Sequence, residues 1–278
     1  MGLVFDQIRW EEKAILETAK NRGVTVNLID AKDSTFPLIG DEAIYWDVIL
    51  QRCASYFRNL HSTAILESRG YTVINNFQVS LVCGNKLFTT LALLKAGVPT
   101  PRTHVAFTSE AALKALDEVG YPAILKPVVG SWGRFIVPLK DRETAKAVFE
   151  EREYMYPLYQ VYYIQEVVER PPRDLRVFVV GDEVAAAIYR YSFVDMKTNI
   201  AKGGKAEECR VTNEIRELGI KVARAVGGGI LGVDMMETKE GLLVHEVNPT
   251  VEFQATVSAT KVDIPEYIIG YLLVKARR

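Results

Sequence analysis

Asp234, Glu246 and Asn248 are the first residues whose types and spacing suggest chemistry. Glu246 and Asn248 stand two apart in "LLVHEVNPT", so on a strand both side chains face the same way. Asp234 sits among apolar residues in "ILGVDMME". If the two runs pair through the intervening "TKEG" turn, two carboxylates and an amide converge. A charged group at the end of an apolar strand needs a partner. An incomplete shell of hard oxygens suits Mg²⁺, which keeps positions open for phosphate oxygens. The plainer alternative is three solvated residues at strand ends; the interior position of Asp234 favours the metal. His245, on the same reading, points away from Glu246 and Asn248 and is no ligand.

A basic set complements the acidic one. Lys126 ends the apolar run "AILKPV", and "VVGSWGR" follows at once. Gly130 and Gly133 let backbone N–H groups fold over a phosphate, and Ser131 can donate one more bond. The Walker spacing is absent, and a β-turn explains the loop as well. Lys86 in "CGNKL" opens a helix, where a cation opposes the helix dipole; an anion nearby would account for it, and so would solvent exposure. Arg176 follows Asp174 by two in "RDLRVFVV", and Arg190 ends the next run, "AIYRYS", with Asn199 beyond it. Two arginines beside a divalent cation suit a migrating phosphoryl group, and a surface ion pair is the alternative. Gln165 and Glu166 interrupt the apolar run in "YIQEVVE". Backbone groups at such a break can bond an adenine edge, and Glu169 can reach ribose hydroxyls; taken alone, a strand leaving the sheet explains the same residues.

The elements that must position these groups follow from periodicity. Up to about residue 82, strands ("GLVFD", "VTVNLID", "DVILQR", "TVIN") alternate with helices closed by Gly23 and Gly70, which predicts a small open parallel sheet. A helix then ends at Gly97. Strands "THVAF" and "AILKPV" flank the helix "SEAALKALDEVG", and "DRETAKAVFEERE" is helical. From about Tyr159 strands dominate, with a "GD" hairpin signal between "DLRVFVVG" and "EVAAAIYRYS". A helix spans Asn213 to Val226, and another begins at Pro265.

A chain of 278 residues is more than one compact core usually holds, so two or three units are expected. A formal charge of −1 argues against a nucleic-acid binder. No apolar run is long enough for a bilayer span, and the first residues fit neither a signal peptide nor a myristoylation site, which has Ser or Thr where Asp6 stands. Cys53, Cys83 and Cys209 are scattered and in no metal-type spacing, as expected of buried thiols in a reducing cytoplasm. His61, His104 and His245 add no zinc pattern.

Nine segments in order, "CGNK", "GYPAILKPVVGSWGR", "YIQEVVE", "RDLRVFVVG", "TNIAKGG", "AVGGG", "GVDMME", "HEVNPTVEF" and "TKVDIP", resemble the RimK-like group of ATP-grasp ligases over essentially the whole chain. The resemblance implies an ATP-grasp fold of α/β and α+β class. Residues 1–82 would form a small parallel α/β unit, 83–164 a central subdomain with a phosphate lid, and 165–278 a C-terminal subdomain with metal and substrate sites. It implies that Lys86 and Lys126, with Gly130 nearby, bind ATP phosphates and that Ser131, Trp132, Gly133 and Arg134 form the lid. Glu166 and Val167 would be the adenine hinge, Gln165 a neighbouring nucleotide-binding residue, and Glu169 the ribose contact. Asp234, Glu246 and Asn248 match Mg²⁺ ligands, and Arg176, Arg190 and Asn199 match positions around the transferred phosphate.

Within the group, the sequence is most similar to the branch that joins α-aminoadipate to the acidic amino-group carrier protein LysW in lysine biosynthesis. Glu252, Phe253, Ala255 and Thr256 would then lie beside the acceptor amino acid. Glutamate-handling relatives typically carry Gly-Phe where Ala255–Thr256 stands, and α-aminoadipate enzymes Asn-Thr or similar. Thr256 matches the second type and Ala255 neither. The alternatives are a glutamate–LysW ligase, one enzyme doing both, or a non-catalytic nucleotide-binding scaffold, against which the acidic triad argues. Another departure is "RPPRD", where relatives often carry a glycine; a loop change is expected there. Arg190, Lys197, Lys202 and Lys205, against the single acid Asp195, suggest where an acidic carrier docks; a solvated basic loop is the alternative. A homo-oligomer is expected.

Overall fold

The computed structural model describes residues 1–39, 45–130, 133–191 and 205–276. Ser131, Trp132, Lys197, Asn199 and Lys202 lie outside the described residues.

The first strand, β1 (Gly2–Phe5), is apolar throughout and wholly buried, as a parallel strand covered on both faces should be. It pairs in parallel with β2 (Asn27–Asp30) and β3 (Ile49–Gln51), and β3 pairs with β4 (Val73–Ile74), giving the order β2-β1-β3-β4. Helices α1 (Trp10–Asn21) and α2 (Tyr56–Ser68) return the chain. The expected small parallel sheet is present. Its side chains alternate between two cores: Val4 packs with Ile49, Leu66 and Val73, whereas Leu3 and Phe5 join a core shared with the C-terminal sheet. That second core welds the N-terminal unit to the rest.

Helices α3 (Phe77–Cys83) and α4 (Lys86–Lys95) follow, each capped by an asparagine side chain, Asn76 and Asn85, that accepts from free N–H groups of the first turn. Both send residues (Val79, Cys83, Leu93) into the C-terminal core. Among the described residues no single helix is long and apolar enough to cross a membrane.

The central sheet is antiparallel, in the order β5 (Thr103–Ala106), β8 (Tyr162–Glu166), β6 (Ala123–Lys126), β7 (Val137–Leu139). Helices α5 (Ser109–Val119) and α6 (Arg142–Arg152) cover it around Leu116, Leu125, Phe149 and Tyr162. The C-terminal sheet, also antiparallel, runs β11 (Lys205–Glu208), β10 (Glu183–Tyr191), β9 (Arg173–Val180), β12 (Ile230–Thr238), β13 (Gly241–Asn248). The Gly181–Asp182 turn joins β9 to β10 with Gly181 at φ 62°, a left-handed conformation that glycine adopts freely. Helix α7 (Asn213–Val226) packs on the face that presents Leu175, Val177, Leu231, Val233, Val244 and Val247. The opposite face presents Phe178, Val180 and Ile230 to α9 (Ile264–Ala276) and the N-terminal unit, with α8 (Gln254–Thr260) against β10 and β11. Strand alternation puts Asp174 and Arg176 on this second face with Phe178.

Candidate active site

The same alternation, applied across β9, β10, β12 and β13, gathers the charged groups. Asp174 opposes Arg190, Arg176 opposes Asp234, and Asp234 opposes Glu246 in the strand registers. Arg176 donates Nε and Nη2 to the two oxygens of Asp234, at 2.5 and 2.8 Å. Arg190 donates Nε and Nη2 to Asp174, at 2.7 and 3.0 Å, and its Nη2 lies 3.1 Å from Asp234 Oδ2. Asp174 and Asp234 are 1% and 2% exposed, so these charges survive burial only because they are paired. Burial pushes the Asp234 carboxyl up, but Arg176 and Arg190 more than reverse this and hold it below the usual range. Burial likewise opposes the Arg190 charge, and Asp234 and Asp174 overcome it. Among the described residues, Nη1 of each arginine makes no hydrogen bond.

Lys126, at the end of β6, is 6% exposed and donates to Gln165 Oε1 at 2.6 Å. Gln165 is itself buried and fixed by donating Nε2 to Thr103 Oγ1 at 3.0 Å and Tyr163 Oη at 3.3 Å. Burial first, then Lys86 and Arg170, lower Lys126 to about 8 against the pull of Glu246. Lys86 is not the solvated lysine of the plainer alternative. Its Nζ donates to Gly130 O at 2.7 Å and lies 3.4 Å from Glu246 Oε1. This tie joins the start of α4, the lid entry and the end of β13. Gly130 (φ 150°) and Gly133 (φ 66°) flank the two lid residues outside the described set, and Arg134 follows.

Asp234, Glu246 and Asn248 converge as the strand pairing requires, with Asn248 Nδ2 donating to Asp234 Oδ2 at 3.4 Å. Burial raises the Glu246 carboxyl, and Lys86 above all offsets this, leaving it lowered. Among the described residues no cluster of three or more His, Cys, Asp or Glu side chains is placed to hold a metal. The shell is therefore two carboxylates and an amide, and Asp234 shares its oxygens with two arginines. Glu246 and the Asn248 amide oxygen are the freer donors, and this all-oxygen set fits Mg²⁺.

The remaining expected site residues are placed as follows. The Gln165 side chain turns inward to Lys126, so at this break only its backbone is left to meet a nucleotide. The Glu166 N–H is taken by Arg102 O at 3.0 Å, and its Oε1 accepts from the Arg102 N–H at 2.7 Å. Val167 lies just past the end of β8. Glu169 is exposed and paired with Lys239 at 3.2 Å. Phe253 is not open to a substrate: it is fully buried, edge-on to Trp10 and Phe178 at 5.8 Å each. Thr256 is 1% exposed, turned inward on the helix that packs against β10 and β11, whereas Ala255 is half-buried. Glu252 is exposed and faces Arg9 at 3.4 Å. Lys205 is exposed and paired with Glu207 at 2.6 Å.

His245 also overturns its expectation. Asp234 opposes Glu246, but Met235 opposes Val244, so His245 is an extra residue in β13. Val244 and Val247 both enter the α7 core, which leaves His245 and Glu246 together on the other face. Burial, then Lys126, lower its imidazole to about 4, so it is neutral near pH 7. Arg170 was missed as well. It donates to the Arg173 carbonyl and lies close enough to influence both Lys126 and Asp174. A loop arginine in "RPPRD" gives no periodic signal that could have found it.

Comparison with known proteins bears directly on this arrangement. Residues 1–82 match the LysX preATP-grasp domain, and residues 83–272 match the RimK-like ATP-grasp domain. The chain belongs to the RimK-like ATP-grasp family. It is 37% identical to the alpha-aminoadipate–LysW ligase LysX of Sulfurisphaera tokodaii, over 97% of this chain and 96% of that one. It is 32% identical to the glutamate–LysW ligase ArgX of Sulfolobus acidocaldarius, over 98% of this chain and 97% of that one. Its fold matches the RimK domain ATP-grasp protein of Sphaerobacter thermophilus with a TM-score of 0.80 at 22% identity, covering 98% of this chain and 100% of that one. It also matches the ATP-grasp ligase PsnB, solved with a minimal precursor, Mg and ADP, with a TM-score of 0.74 at 21% identity, covering 99% and 96%.

Proposed function

We propose that this protein is an ATP-dependent carboxylate–amine ligase that joins the α-amino group of α-aminoadipate to the C-terminal glutamate side chain of the acidic carrier LysW, in lysine biosynthesis. The observation that carries the reading is the buried convergence of Lys86, Lys126, Arg176 and Arg190 on Asp234, Glu246 and Asn248. The higher identity to the α-aminoadipate ligase than to the glutamate ligase supports the choice of amino acid.

On this reading Lys86 and Lys126 hold ATP phosphates in the ground state, and Gly130 to Arg134 close over them. Glu246 and Asn248, with Asp234 beside them, would hold Mg²⁺, whose charge would offset that of the phosphates. The carrier carboxylate attacks the γ-phosphorus and forms an acyl phosphate, with ADP leaving. The amine of α-aminoadipate then attacks the acyl carbon and phosphate departs. Arg176 and Arg190, each with Nη1 outside its carboxylate pairs, meet the charge that grows on the transferred phosphoryl group, together with Asn199. Positioning and charge stabilisation supply most of the acceleration. Glu166, Val167 and Glu169 border the nucleotide. The three units 1–82, 83–164 and 165–278, a cytoplasmic location and assembly as a homo-oligomer complete the proposal. The carrier docks near Arg190, Lys197, Lys202 and Lys205, so its association should weaken with added salt. Full activity after charge reversal at Lys197 and Lys202 would remove that docking site.

The deciding experiment incubates the carrier with ATP, Mg²⁺ and each amino acid separately and weighs the product by mass spectrometry. A mass gain of one α-aminoadipate residue supports the reading. A gain with glutamate alone would make the protein a glutamate–LysW ligase, and no gain with either amino acid would sink both.

A further inference from the structure

Five residues, 249 to 253, connect the candidate metal strand β13 to α8, and each of them, like Gln254 at the start of α8, is held by a side chain of the N-terminal unit. Asn75 Nδ2 donates to Pro249 O at 2.7 Å, and the same amide bridges Ile230, donating to its carbonyl at 2.8 Å and accepting from its N–H at 2.7 Å. Asn59 Nδ2 donates to Thr250 Oγ1 at 3.1 Å. Arg52 Nη1 donates to Val251 O at 3.1 Å, and Arg9 Nη1 to Glu252 Oε1 at 3.4 Å. Glu11 Oε1 accepts from the N–H groups of Phe253 and Gln254, at 3.0 and 3.1 Å. These two donors stand at the start of α8, where the helix itself offers no acceptor, and the Phe253 side chain makes no cap.

Burial makes this more than surface contact. Glu11, Arg52, Asn59 and Asn75 are each 5% exposed or less. A buried carboxylate or guanidinium is costly unless its partners are in place. Arg52 is balanced by Glu12, at 2.9 Å from Nε, and Glu12 by Arg9 at 2.9 Å. The tethers are short and directional, and they fall on the segment that leads into Ala255 and Thr256. By contrast Arg22–Glu266, another ion pair between α1's end and the C-terminal unit, is about half exposed and away from this segment.

We propose that the N-terminal unit sets acceptor selectivity by positioning residues 249–254 and the start of α8, with Glu11 and Arg52 as the positioning residues. This rests on the functional reading above and on the family resemblance, which implies that the acceptor amino acid lies beside Ala255. The plainer alternative is an interface that stabilises the protein without tuning the site.

The test measures kcat/KM for α-aminoadipate and for glutamate, and KM for ATP, in wild type, Glu11→Ala, Glu11→Gln, Arg52→Lys and Arg22→Ala. A pocket separates one methylene by roughly 10- to 200-fold, so a small displacement of α8 is readable in the ratio. Glu11→Ala and Arg52→Lys should raise the amino-acid KM and shift the ratio by about threefold or more, leaving KM for ATP within about twofold, since misplacement at one substrate is a local loss. Glu11→Gln keeps an acceptor oxygen and should restore the ratio; Arg22→Ala should leave it unchanged. Should Glu11→Ala not fold, Asn59→Ala, which removes the amide that donates to Thr250 and to the Cys53 carbonyl, takes its place. A lowered melting temperature with an unchanged ratio and unchanged amino-acid KM would overturn the proposal. A wild type that loads no amino acid onto the carrier would overturn the functional reading itself.

Discussion

Raising the pH from 7 to 9 should weaken nucleotide binding, and Lys126 is the reason. Its ammonium is buried against Gln165, and its pKa is lowered from 10.5 to about 8 by burial first and by Lys86 and Arg170 next. The difference corresponds to about 3 kcal/mol for keeping the charge in the folded protein. About nine-tenths of the free enzyme carries that charge at pH 7 and about one-tenth at pH 9, so the apparent Kd for a triphosphate should rise roughly tenfold. Phosphate itself ionises near ~6 and adds little over this range. The assay is calorimetric titration with a non-hydrolysable ATP analogue and Mg²⁺ at constant ionic strength. Lys126→Met should bind weakly at pH 7 and lose the inflection. Lys86→Met should also bind more weakly but move the inflection upward, because one cation that depresses Lys126 is gone. Stability runs the other way. Between pH 8 and 10.5 the unfolded chain holds a proton that folded Lys126 has released, so this group's contribution to stability rises with pH through that window. A flat binding profile from pH 7 to 9, or an inflection that survives in Lys126→Met, would refute the reasoning.

Other substitutions probe the remaining parts. Glu246→Ala should abolish ligation, because it removes the freer carboxylate of a three-donor shell; retained product at ordinary Mg²⁺ in the mass assay would end the metal reading. Asp174→Asn removes one of the two carboxylates that balance the buried Arg190, leaving Asp234, and should lower stability by about 1.5–3 kcal/mol, read by denaturant unfolding. Thr256→Phe, which on sequence alone should shorten the acceptor pocket, should instead overpack α8 against β10 and β11 and cost about 1–3 kcal/mol; an unchanged melting temperature with a shifted amino-acid ratio would restore the pocket reading. Gly229→Ala would place a Cβ 2.0 Å from Asn75 Oδ1 at φ +101°, so thermal unfolding should show a marked loss, and an unaffected Tm would contradict the Asn75 bridge.

The sequence by itself determined the groups whose relationship is local and periodic. Two-residue spacing set Asp174 with Arg176 and Glu246 with Asn248 on one face, and the Gly181–Asp182 turn announced the hairpin that brings Arg190 beside Asp174. The parallel α/β start, α7 from Asn213 to Val226 and the "TKEG" pairing of Asp234 with Glu246 were legible for the same reason: side-chain direction follows from period alone. Only the tertiary structure decided what depends on breaks in that period or on distant partners. One inserted residue in β13 turns His245 toward the site, and no pattern in "VHEVN" marks a bulge. Phe253 and Thr256 were assigned to a substrate because of where they stand in the chain, yet packing against Trp10, Phe178 and the C-terminal sheet buries them. The Gln165 side chain meets Lys126, 39 residues away in sequence, because β6 and β8 are neighbours. Glu11 meets Phe253 across 242 residues of sequence. Such contacts are chosen by how two separately folded layers dock, and periodicity within either layer carries no information about the other.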